Sequence, residues 1–296
     1  MSPLDFVKLL LLSAIWGGSF LFMRIAAPEF GPFVLIWFRV AVAFLLLSPL
    51  LARKRVRKEV FGNPGKMMFV GIFNAALPWC LLAFAVLSLE AGFTSLLNAA
   101  TPIFAAIIGF IWMKQPLTRW QTVGLILGIC GVFILASDKL SLDSKGPILA
   151  IIATLGATIC YGFISQYIKK DMSHLSPWSI TIGNLMGATL ILTPFAIGHL
   201  PESLPGTKAF VCATALGVLS TALAFVLLFD ILSRSGATAT TTVTFIIPIF
   251  GVLFGTLFLQ EVVTARIIAG MLVAFAGAAL TTKLLPRKVD CTGYSP

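Results

Sequence analysis

Ten apolar segments, each 19 to 25 residues long and bounded by charges, prolines or turn residues, fall near 6–26, 33–51, 67–88, 93–112, 119–137, 147–168, 178–198, 208–232, 238–259 and 264–285. About 20 mostly apolar residues in a helix cross roughly 30 Å of hydrocarbon. Soluble domains carry about 45–50% apolar and about 25% charged residues, whereas this chain has 58% hydrophobic and 11% charged residues. No soluble core hides that much apolar surface, so the solvent is lipid. Barrel strands would show alternation over about ten residues, which is missing here. The expected fold class is therefore an all-α integral membrane protein with ten transmembrane helices. The opening MSPLDFVKLLLLSAIWGGSF has only Lys8, beside Asp5, as a basic region, and its apolar run continues to Ala27. It reads as a retained first helix and not as a signal peptide.

Positive charges orient the segments. If the amino terminus is cytoplasmic, the inside holds Lys8, Arg53, Lys54, Arg55, Arg57, Lys58, Lys66, Lys114, Arg119, Lys169, Lys170, Arg234, Lys283, Arg287 and Lys288. The outside then holds only Arg24, Lys139, Lys145, Lys208 and Arg266. The expectation is a multi-pass protein of the plasma (inner) membrane with both termini cytoplasmic. The net charge of +10 belongs to these loops. No loop is long enough to fold as a reader of nucleic acid, so no nucleic-acid partner is expected.

The chain also repeats itself. Shifted by 145, Trp16 meets Tyr161, Gly17 meets Gly162, Arg24 meets Lys169, Pro32 meets Pro177 and Pro49 meets Pro194. Shifted by 146, Pro102 meets Pro248, and Gly109, Thr118, Gly124 and Gly131 each meet their own kind. The expected organisation is a five-helix repeat at 1–137, a linker at 138–146, a second repeat at 147–285 and a cytoplasmic tail at 286–296. An odd number of spans per half inverts the second half in the membrane. Inverted halves build secondary transporters, in which the two arrangements exchange during alternating access.

Four features together resemble the drug/metabolite transporter superfamily. They are the 5+5 inverted plan, the pair in SAIWGGSF, the arginine in IWFRVAVAF, and the prolines in ATPIFAAIIG and FIIPIFGVLFG. Within that superfamily they resemble EamA-type ten-helix exporters, and among these the YddG-type aromatic amino acid exporters. The resemblance covers almost the whole chain and implies outward transport of small metabolites such as amino acids. The second half departs from the pattern, with Asn184 at the position of Arg39 and Tyr161 at that of Trp16.

Candidate site residues follow from depth. Pro102 and Pro248 lie nine or ten residues into their segments, roughly 15 Å deep. A proline frees a carbonyl one turn earlier, which in lipid must face protein or a water-filled cavity. Asn98 and Thr244 stand one turn before these prolines, with Thr101 beside them. Trp16 is too deep for an interfacial belt, its indole N–H needs a partner, and Tyr161 repeats its placement. With Asn74, Pro78, Trp79 and Ser220, these residues form the expected substrate-binding set. Gly17, Gly18, Pro102, Gly162 and Pro248 are the expected hinges. Arg39, the one clear intramembrane charge, lies about two turns from the outer face, roughly 10 Å. It is read as a structural charge that snorkels or pairs with Glu90, with attraction of a substrate carboxylate as the other reading.

None of the eleven acids falls near mid-bilayer. A facilitator without a carboxylate proton relay is expected, with a nucleoside-like or drug exporter, proton-coupled or not, as the alternative. FGNPGKMM lacks the spacing and the following Ser or Thr of a phosphate loop. Five scattered cysteines and two histidines give no metal site, and no cofactor is expected. G-x-x-x-G at 124–128, 183–187 and 251–255 suits close helix packing, in a monomer or weak homodimer. An enzyme would need paired intramembrane acids or a histidine cluster. Topology is tested with a membrane-impermeant maleimide on intact cells: a cysteine at Glu202 should label directly, and one at Lys58 only after permeabilisation.

Overall fold

A computed structural model describes residues 3–137 and 145–281, with backbone alone for Lys145 and for 237–241. Among the described residues the chain is helical, without strands. The elements are α1 (Pro3–Leu47), α2 (Lys54–Phe61), α3 (Pro64–Ser88), α4 (Ala91–Met113), α5 (Arg119–Ala136), α6 (Lys145–Asp171), α7 (Pro177–Gly198), α8 (Thr207–Gly236), α9 (Thr242–Leu259) and α10 (Ala265–Thr281). Eight helical stretches are long and apolar enough to cross a bilayer. The first breaks at Gly31 and supplies two of the expected segments, and the 17-residue α10 supplies the last. The tail at 286–296 and all but the last two residues of the linker lie outside the described residues.

Two breaks have the same local cause. Gly31 takes φ 70° and ψ 157°. Glycine reaches positive φ without a Cβ clash, and the following Pro32 disfavours helix at the residue before it. Gly236, at φ 76°, ends α8 before α9 with the same positive-φ glycine, here without a following proline. The repeat shows in rarer geometry too: Lys114 (φ 49°) and Gln260 (φ 56°), which are 146 positions apart, both end their helices left-handed.

Three departures from the sequence reading have physical reasons. The basic stretch after the second segment is a helix, α2, because Val56 and Val60 bury one face and Arg55 pairs with Glu59 at 2.8 Å. The fourth segment is interrupted, with helix at Ala91–Asn98 and again at Thr101–Met113. The third and eighth segments each contain a π-helical turn, Gly71–Ala76 and Val218–Leu223.

Contacts at the helix ends show the inversion. Lys66 at the start of α3 donates to the carbonyl of Asp171 at the end of α6, 3.1 Å away. Lys8 at the start of α1 pairs with Asp230 near the end of α8, and Arg234 joins it at 2.9 Å. Helices one and six, which match across the repeat, thus run in opposite directions. At the other face, Arg24 donates to the Val86 carbonyl, and Glu261 accepts from the amides of Ala91 and Gly92 at 2.6 and 2.9 Å. That carboxylate satisfies free N–H groups at the start of α4 and suits the positive end of its dipole.

All three G-x-x-x-G motifs are occupied inside the chain. A Cβ on Gly124 would lie 2.7 Å from the Gly277 carbonyl, one on Gly187 2.8 Å from the Met67 carbonyl, and one on Gly251 2.6 Å from Ser95 Cβ. Exposed leucines, isoleucines and phenylalanines such as Leu45, Ile111 and Leu257 cover the perimeter, where lipid is the natural neighbour.

Glu59 also accepts from the Ser176 amide at 2.9 Å, tying α2 to the start of α7. The Arg55 hydrogen bond is the main reason its carboxyl falls from 4.5 to about 2. A depressed carboxylate stabilises the fold above its unfolded pKa, and the contribution fades as pH falls towards the folded one. The melting-temperature gap between the wild type and Glu59→Gln in detergent should be constant above about pH 5 and should close between roughly pH 4.5 and pH 2. A gap independent of pH would detach Glu59 from that role.

Candidate functional site

The two halves enclose a central cavity of about 290 Å³. Its wall contains Trp16, Asn74, Trp79, Asn98, Thr101, Tyr161, Ser220 and Thr244 from the expected substrate-binding set, and Pro102, Pro248 and Arg39. The structure therefore brings together residues from both repeats that are up to 232 positions apart (Trp16 and Pro248). Pro78 is the exception. It is buried at the junction of the π turn and the helix that follows, and does not reach the cavity.

Backbone irregularity builds the wall. A π turn shifts the helical register by one residue and frequently marks a functional site. Asn74 lies in one such turn and Ser220, its counterpart at 146, in the other. The Ser220 carbonyl accepts the Trp16 indole N–H at 3.2 Å, and the Ser220 hydroxyl donates to the Ile15 carbonyl at 3.3 Å. The half-buried indole therefore has its partner. In α4 the helix restarts at Thr101, whose hydroxyl donates to the Asn98 carbonyl at 2.8 Å. This supplies a partner for the carbonyl that Pro102 leaves free. Pro248 lies inside a continuous helical stretch, so the two matched prolines are not equivalent.

The glycines act by closeness. Helix runs unbroken through Gly17, Gly18 and Gly162. A Cβ on Gly17 would lie 2.6 Å from Phe250 Cβ, and one on Gly162 2.8 Å from the Ala105 amide nitrogen. Helix one thus touches helix nine, and helix six touches helix four, at matching points. Around Gly18 the nearest atom is 3.5 Å away.

Arg39 departs from its expected surroundings. It forms no pair with Glu90. Its Nε donates to Thr221 Oγ1 at 2.9 Å, and its guanidinium carbon lies 3.8 Å from the Trp79 ring centroid. The π turn in α8 carries Thr221 to it, a feature absent from any residue pattern. Asn184, in the inverted position, packs beside the other π turn, with Gly71 against its carbonyl. Both side-chain amide atoms of Asn184 are buried and unpartnered among the described residues.

Further lining residues are Ser19, Phe20, Met23, Leu82, Ser95, Ala99, Phe225 and Ile247. Ser19, Phe20 and Met23 stand three, four and seven residues after Trp16, so helical spacing alone could have found them. Phe225 stands five after Ser220, a spacing that only the π turn makes cofacial. Among the described residues no acid lines this cavity; Glu90 and Glu261 border a separate recess with Arg24 at the face opposite Lys8. No cluster suited to a metal ion occurs among the described residues.

Two inverted helical halves around one aromatic and polar cavity define a multi-pass membrane transporter. The chain belongs to the EamA-like transporter family, which matches residues 6–137 and 148–283. It is similar to the uncharacterized transporter YoaV of Bacillus subtilis (24% identity, 93% of this chain and 95% of that one). It is also similar to a probable amino-acid metabolite efflux pump of Salmonella typhimurium (24% identity, 94% of each chain). A solved crystal structure shares the fold, with a TM-score of 0.67 at 15% identity, covering 97% of this chain and 98% of that one.

The glycine geometry predicts a contrast between neighbours. Gly17→Ala should lower thermal stability in detergent by about 1–3 kcal/mol through overpacking. Gly18→Ala should leave it unchanged or raise it by up to about 1 kcal/mol, because alanine favours helix. Equal effects would remove the helix one–helix nine contact as the cause.

Proposed function

We propose that this protein exports small zwitterionic metabolites, aromatic and large neutral amino acids in particular, by alternating access and down their gradient. The observation that carries the reading is the central cavity: aromatic walls from Trp16, Trp79 and Tyr161, amides from Asn74 and Asn98, and, among the described residues, one fixed cation and no acid. Small-molecule sites are mostly apolar with a few placed polar groups, and drug-sized ligands use about 300–1,000 Å³. A volume near 290 Å³ is at the small end of that range, which favours an amino acid over a nucleoside or drug. The name of the Salmonella typhimurium relative, a probable amino-acid metabolite efflux pump, points the same way.

A proton-coupled carrier usually places a titrating acid or histidine on its path. Two acids, Glu90 and Glu261, border the separate recess and not the central cavity. The proposed transport is uncoupled, and both termini are proposed to lie in the cytoplasm of a plasma-membrane protein, a reading that the loop charges support. Pro102 and Pro248 are the proposed hinges, and the Gly17 and Gly162 contacts are the surfaces on which the halves rock.

The test is uptake of radiolabelled amino acids into proteoliposomes, with and without imposed pH and voltage gradients. Saturable uptake of large neutral amino acids, unchanged by either gradient, is expected. Trp16→Ala should cut their kcat/KM by at least about tenfold, as loss of a buried aromatic contact of roughly 1.4 kcal/mol implies. Uptake only with a proton gradient, or of nucleosides alone, would replace this reading with its alternative.

A further inference from the structure

Among the described residues Arg39 is the only charged one bordering the central cavity, and the protein holds it without neutralising it. Besides the Thr221 bond and the Trp79 ring, one η nitrogen lies 4.0 Å from Met23 Sδ, a weak acceptor. A guanidinium has five N–H donors, and the others have no acceptor among the described residues. The side chain is 4% exposed, so little bulk water reaches it. Acids elsewhere are committed: Glu261 to the α4 amides, Asp230 to Lys8 and Arg234. The fold itself does not demand a cation at this depth, because the inverted position holds the neutral Asn184.

We propose that Arg39 is the specificity residue of the carrier and binds the carboxylate of the transported molecule, with Thr221 and Trp79 as positioning residues. This rests on the transport reading above and deepens it. A guanidinium fork matches a carboxylate in two parallel hydrogen bonds. One fixed positive charge compensates one negative charge, whereas a phosphate dianion would leave an uncompensated buried charge, which is costly. Asn98 borders the same cavity, its Oδ1 is buried without a donor among the described residues, and a small rotation of that amide would offer it to an ammonium group. The ligand class is thus a monocarboxylate, zwitterionic when its amine reaches Asn98.

Three probes with one ring separate the groups: phenylalanine, phenethylamine without the carboxylate, and 3-phenylpropionate without the amine. Transport by the purified full chain in proteoliposomes is read beside ligand-induced thermal stabilisation in detergent. The wild type should prefer both carboxylates over the amine by about tenfold or more, the scale of a charge-assisted contact. Arg39→Gln should bring that ratio to about one, and Arg39→Lys should keep part of it. If Arg39→Gln does not fold, Thr221→Val decides, by raising half-saturation for the carboxylates about threefold or more while leaving the amine unchanged.

Equal acceptance of amine and amino acid by the wild type, or an unchanged ratio in a folded Arg39→Gln, would overturn the proposal. A wild type that binds the carboxylates but moves none of them overturns the carrier reading and keeps the Arg39 assignment. One that binds none of the three overturns the assignment as well.

Discussion

A peptide group that meets hydrocarbon without a hydrogen-bond partner costs several kcal/mol, so a chain in lipid leaves regular helix only where protein or a wet cavity takes over. In this structure those departures gather in one place. The π turns at Gly71–Ala76 and Val218–Leu223 and the interruption before Thr101 all border the central cavity. Each exposed group has a local answer: the Trp16 indole on the Ser220 carbonyl, the Thr101 hydroxyl on the Asn98 carbonyl. The cavity exists because the backbone is irregular there. The irregularity is tolerated because polar side chains of the wall supply partners.

Duplication gives the frame, and divergence sets how the two halves differ. Lys114 and Gln260 repeat a left-handed helix end, and the two π turns repeat around Asn74 and Ser220. The pairs Arg39 and Asn184, Trp16 and Tyr161, and broken and unbroken proline helices do not repeat. The Lys8–Asp230 pair does not repeat either. Lys8 and Asp230 clamp the face that carries the amino terminus, while their counterparts, Ala153 and Phe84, carry no charge. In a rocking carrier, the two end states would therefore differ in energy through named contacts. A salt-sensitive ion pair ties one face, and the carboxylate of Glu261 on the α4 amides ties the other.

Most of the architecture could be read from the chain because lipid simplifies the code. Apolar runs, bounding prolines and an internal offset fix the segments and their inversion, with α10 only 17 residues long in its described part. The helix at Lys54–Phe61 escaped because five basic residues in or beside it mask the Val56–Val60 stripe. The wall of the cavity was legible wherever depth and polarity coincide, as at Trp16, Asn98 and Ser220. Pro78 misled because proline marks irregular backbone on any face of a helix, and here that face is buried packing. The π turns were invisible: GIFNAA and VLSTAL hold no residue that commands the extra hydrogen-bonded step. What produces the turns is tertiary, since Gly71 must approach the backbone of Asn184 and Ala188, and Gly217 that of Arg39.

Arg39 ties these threads together. Depth along its segment placed it near an interface, where a long cation reaches water. The π turn in α8 brings Thr221 to its Nε instead, and Trp79 covers its plane. Moving a guanidinium from water to such a site is unfavourable, and one hydroxyl with one ring face compensates only part of that cost. A fold under selection for stability alone would hold a neutral residue there, as it does at Asn184. The uncompensated remainder is available to whatever anion enters the cavity. Binding energy of that kind differs between an occupied and an empty site, and a carrier can use the difference to favour closing around substrate over closing empty.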